Sequence, residues 1–93
     1  MQQTDEISPT HIEHAVDEVW NDGKLEQFYN YLDYHFANAD AYMRARVYLD
    51  EPRTALLYGP FAARQSIASV SAPKLRELVE AYLGRRFQRI ADR

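Results

Sequence analysis

An α+β domain is the fold class this chain predicts, and three observations carry it. Residues 41–49 alternate strictly between apolar and Tyr/Arg side chains. Two stretches before them and one after show apolar residues at helical spacing. Turn signals separate all of these segments. The predicted order is α-α-β-β-(β)-α: an N-terminal antiparallel helix pair, an antiparallel two- to three-stranded sheet built on a hairpin over 41–61, and a C-terminal helix on one face of that sheet. Residues 1–7 are expected to be frayed and 8–93 to form a single domain.

Ser8-Pro9-Thr10 reads as a helix start, a capping hydroxyl followed by a proline tolerated in the first turn. Ile12, Ala15, Val16, Val19 and Trp20 then fall at i, i+3, i+4, i+7 and i+8, the stripe of an amphipathic helix. Asn21-Asp22-Gly23 is read as its stop, with Gly23 in a left-handed cap. Leu25, Phe28, Tyr29, Leu32 and Phe36 give a second stripe, and so short a link favours an αα-hairpin. Asn38-Ala39-Asp40 ends it.

In the central stretch, Met43, Ala45, Val47 and Leu49 share one parity, and Tyr42, Arg44, Arg46 and Tyr48 share the other. A strand built this way has one apolar face and one Tyr/Arg face. Asp50-Glu51-Pro52-Arg53 supplies a turn, Ala55-Leu56-Leu57-Tyr58 a second strand, and Gly59-Pro60 its end. The register stays open between two pairings. One puts Arg46 opposite Tyr58 and Tyr48 opposite Leu56; it is preferred because it keeps Leu57 and Phe61 beside Val47 and Leu49. The other turns Tyr58 inward, because one residue of slip flips a strand. Ile67 and Val70 permit a short third strand over 64–71. Ser71 caps the last helix, whose stripe is Leu75, Leu78, Val79, Tyr82 and Leu83. Gly84 stops it, leaving an edge strand, or is passed; Phe87 and Ile90 lie on opposite strand parities, which favours continuation.

Ninety-three residues with twelve aromatics suit one small folded domain, and a chain this short gains from a partner subunit. The absence of cysteine removes disulfides, thiolate metal sites and cysteine nucleophiles. No apolar run reaches the ~20 residues of a membrane span. MQQTDEISPT does not read as a signal peptide, so a cytoplasmic protein is expected. The net charge of −3 conceals a dipole: residues 1–40 carry nine acids and one lysine, and residues 41–93 ten Arg/Lys and five acids.

Chemistry is thinly signposted. His11, His14 and Glu18 put three potential metal ligands along one edge of the first predicted helix, a far weaker pattern than two histidines flanking a glutamate on adjacent turns. Solvated flank residues are the preferred reading of all three, and no metal is expected. His35 with Asp33 or Asp40 suggests a base beside an acid, but no nucleophile or phosphate-cradling glycine loop accompanies them. No cofactor and no catalysis are expected. The feature of interest is Tyr42, Arg44, Arg46, Tyr48 and Tyr58, a side-chain mix enriched at protein interfaces. The expected function is a small interaction or regulatory module, self-associating as a dimer and contacting partners through that face. The alternative is a nucleic-acid or phosphate binder using the same face together with Arg85, Arg86 and Arg89; net negative charge weighs against it. No membrane partner is expected.

Overall fold

The computed structural model describes residues 6–93. It contains β1 (His11–Asn21), β2 (Lys24–Ala37), β3 (Tyr42–Tyr48), β4 (Thr54–Phe61), α1 (Pro73–Gly84) and β5 (Arg89–Asp92). The strands form one sheet in sequence order, antiparallel from β1 to β4. β5 pairs parallel with β4, a direction that requires a crossover, and α1 is that crossover. Among the described residues, no helix is long and apolar enough to cross a membrane.

The N-terminal helix pair is absent; its two segments are the two longest strands. The reason lies in the spacing of the large apolar groups. Ile12, Val16 and Trp20, and then Phe28, Leu32 and Phe36, recur every four residues. A four-residue interval returns to the same side of an α-helix and to the same face of a strand, so periodicity does not separate the two. β-Branched and aromatic content decides for the strand. So does the turn: Asp22 and Gly23 both have positive φ, 52° and 74°, the backbone of a two-residue type I′ hairpin. Gly23 therefore closes a hairpin and caps no helix.

The hairpin over 41–61 is present as β3 and β4. Arg46 and Tyr58 both lie on the outer face, as in the preferred pairing, but the register differs by two residues. Arg44 is opposite Tyr58 and Arg46 opposite Leu56, so residues 49–53 form a longer turn. The register shifts between Tyr42 and Arg44, so that Phe61 pairs with Tyr42 on the outer face instead of joining the core. Gly59 enables this bend: its φ is 105°, and a Cβ there would meet the Tyr42 carbonyl at 3.0 Å. Residues 64–71 form no strand, only one bridge between Phe61 and Ser69. α1 stops at Gly84 because Phe87 turns back to pack edge-on against Tyr34 at 5.8 Å. The chain then leaves as β5, with Arg93 N–H donating to Leu57 O. The N-cap is Ala72, without a side-chain bond, in place of Ser71.

The core lies between α1 and one sheet face. Leu75, Val79, Tyr82 and Leu83 meet Phe36, Met43, Ala45, Val47, Ala55 and Leu57, with Ala45 and Ala55 letting the helix approach closely. Of the stretch expected to be frayed, residues 1–5 lie outside the described residues, while Ile7 is partly buried against the core. The helix covers only the base of the sheet. β3 ends at Tyr48, opposite Tyr31, so from Asn30 outward β1 and β2 run on as a two-stranded arm. The molecule accordingly measures 60 Å along its long axis against 28 and 20 Å.

Candidate functional site

Paired residues share a sheet face, so the register assigns every side chain. On the face away from α1, one row reads His11, His35, Arg44, Tyr58, and the next reads Glu13, Asp33, Arg46, Leu56. Tyr42, Arg44, Arg46, Tyr48 and Tyr58 are therefore brought together. Arg89 pairs with Thr54 at the far edge of this face. Arg85 and Arg86 lie elsewhere: Arg86 stacks 3.7 Å over Tyr82 on the helix side.

The two arginines of the row have different surroundings. Arg46 donates from Nε and Nη2 to both oxygens of Asp33, at 2.8 and 3.0 Å, and lies 3.9 Å over the Tyr31 ring. This pairing raises the Arg46 pKa further above its usual value. Its donors already serve an internal partner, so it is a poor reader of external phosphate. Arg44 stacks over Tyr58 at 4.6 Å and carries no such pair.

Beside them sits a cluster anchored by His35, 3% exposed. The Tyr42 hydroxyl donates to His35 Nδ1 at 2.5 Å, and His35 Nε2–H donates to Glu13 Oε1 at 2.9 Å; this tautomer satisfies both ring nitrogens. Arg64 Nη2 stands 3.4 Å from Glu13 and 3.2 Å from His35 Nε2. His11, Glu13 and His35 each bring one ligand atom within 4.8 Å of the others, a set with metal-like composition. The geometry does not suit one cation. The two imidazoles are stacked at 4.3 Å and only 20° from parallel, so one ion cannot sit in both ring planes, and Arg64 occupies the approach. His14 and Glu18 point to the opposite face from His11. His14 bonds Asn30 there, and Glu18 accepts from the Trp20 indole.

Burial holds the His35 pKa below 6.5, against the opposing pull of its bond to Glu13. That same bond, from His35, holds Glu13 below 4.5. Well above pH 6.5 His35 is neutral in both folded and unfolded chains. As pH falls through that value the unfolded chain takes up a proton that the folded chain refuses, so stability drops. Glu13 adds a loss in the same direction below 4.5. The thermal midpoint is thus expected to fall between pH 6.5 and 4.5, with His35→Gln flattening the upper part of the slope. A wild-type midpoint constant across that window would contradict this arrangement.

The helix-side face of the arm, continued at its base by Ile12 and by Leu49 of the β3–β4 turn, is different in kind. Ile12 is 50% exposed, Val16 43%, Trp20 58%, Phe28 54% and Leu49 44%. They follow from the core outward: Ile12 pairs with Tyr34, which touches Tyr82 in the last turn of α1 and Phe87 just beyond it. Trp20 pairs with Leu25 next to the turn. Reading these positions as helical hid the fact that they line one side of a protruding ribbon.

No family model, curated protein or solved structure matches the chain, so its functional reading comes from this geometry.

Proposed function

We propose that the protein is a non-catalytic, self-associating interaction module that dimerises through the helix-side face of its β1–β2 arm. The observation that carries this is the run of exposed Ile12, Val16, Trp20, Phe28 and Leu49 on one face. With Leu25, also 45% exposed, these side chains offer on the order of 600 Å² of apolar surface, the upper end of what monomers expose and close to one partner's share of a standard interface. A free two-stranded ribbon is marginal in water, so covering this face also stabilises the arm.

Charge selects a second copy as the occupant. The arm runs from the arginines at the end of α1, Arg85 and Arg86, to a tip bearing Glu18, Asp22 and Glu26. Two arms packed antiparallel about a two-fold axis bury Val16 and Phe28 near their equivalents and set Ile12 of each copy against Trp20 of the other. Each acidic tip then meets the other copy's arginines. The Tyr/Arg face supports contact less well, because Arg46 is engaged with Asp33. The nucleic-acid reading needs a continuous basic surface, yet Arg44 and Arg86 face opposite sides of the sheet.

Light scattering on untagged protein tests the proposal. A two-chain mass is expected, with dissociation promoted by salt because the tip contacts are exposed. A single-chain mass at every concentration and salt would overturn it.

A further inference from the structure

Arg44 makes no hydrogen bond and no ion pair among the described residues, and its Nε is buried without an acceptor. This contrasts with its neighbours: Asp33 is matched by Arg46, and Glu13 faces Arg64. One positive charge with unfilled donors is left over, which buried polar groups seldom tolerate. It borders a cleft of about 340 Å³ lined in part by Glu13, His35, Tyr42, Arg44, Phe61 and Arg64. That volume is at the small end for ligand sites.

We propose that this cleft binds a small oxyanion, a carboxylate or phosphate group on a compact body, with Arg44 as its anchor. A guanidinium presents paired donors in a plane that matches two oxygens of such a group. Stacking on Tyr58 at 4.6 Å holds that plane in place before any ligand arrives, which lowers the ordering cost of binding. Arg64, 48% exposed, stays beside Glu13 at 3.4 Å and offsets that carboxylate at the rim of the cleft. Phe61 forms an apolar wall for the rest of the ligand. Glu13 and Asp33 repel an anion, but each already has a cationic partner, so the uncompensated charge in the cleft is that of Arg44. The cleft opens on the face opposite the arm's apolar shelf, so ligand binding and dimerisation do not compete.

The test is a titration followed by ¹⁵N NMR, with inorganic phosphate and acetate added separately and sodium chloride at matched ionic strength as control. Saturable shifts are expected at the Arg44 Nε–H and at the amides of Tyr42 and Arg64 with at least one of the two anions; which one saturates assigns the chemistry. Arg44→Lys keeps the charge but loses the fork, and is expected to weaken binding roughly tenfold or more, the loss of one charge-assisted hydrogen bond. Shifts that follow sodium chloride, or saturation unaffected by Arg44→Lys, would overturn the site. Should Arg44→Lys fail to give a dispersed spectrum, the wild-type comparison with chloride decides alone.

Discussion

Val16→Glu combined with Phe28→Glu is expected to convert the proposed dimer into a folded monomer. Both side chains are substantially exposed in the single chain, 43% and 54%, so the new carboxylates remain hydrated there and the fold survives. Across a two-fold axis the same substitutions force four like charges out of water against one another. Desolvating an unpaired charge costs several kcal/mol, so the dissociation constant is expected to rise by about a hundredfold or more. Far-UV circular dichroism is expected to stay unchanged while the scattering mass halves. Val19→Glu supplies the control: Val19 is also exposed, at 41%, but pairs with Gln27 on the opposite face. It is expected to leave the mass alone. Loss of the dimer in Val19→Glu with retention in the double variant would place the contact on the wrong side of the arm.

Arg46→Ala is expected to destabilise the fold by about 3 kcal/mol in urea unfolding, the cost of leaving a buried charge without its partner. Asp33 is 5% exposed and receives both of its hydrogen bonds from Arg46. Removing the guanidinium strands that carboxylate and removes the lid over Tyr31. Replacing both residues by leucine takes the charge away with its partner, and most of the loss is expected to return. A single-variant loss below about 1 kcal/mol would mean that the pair behaves as an exposed one.

The central hairpin and the last helix were readable because their patterns have a single interpretation. Met43, Ala45 and Val47 alternate too strictly for a helix, and Leu75, Val79, Tyr82 and Leu83 lie where only a helix aligns them. The first two strands were not readable from apolar period, since Ile12, Val16 and Trp20 satisfy both geometries. The discriminating signal was Asp22-Gly23, a dipeptide suited to a hairpin's positive φ values and equally easy to take for a helix stop. Even with that turn recognised, the His35 cluster needs one more fact. Counting back from Asn21 opposite Lys24 would set His11 against Tyr34. Glu26 is an extra residue in β2, because Val19 pairs with Gln27 while Trp20 pairs with Leu25. This bulge moves His11 to face His35 and thereby builds the site. Nothing about Glu26 as a residue announces a bulge. The Tyr/Arg face was legible as a face, but the ion pair that occupies Arg46 depends on Asp33 lying one strand away, a long-range contact with no local signature.

Trp20 is the chain's single tryptophan and stands on the proposed interface, 58% exposed in the isolated chain. Its fluorescence therefore reports directly on whether the arm is covered. Emission shifted to the blue and shielded from acrylamide at high protein concentration, moving to the red and becoming quenchable on dilution, is the expected result. Red, freely quenchable emission that does not change with concentration would mean that the shelf stays in water and that the arm does not mediate self-association.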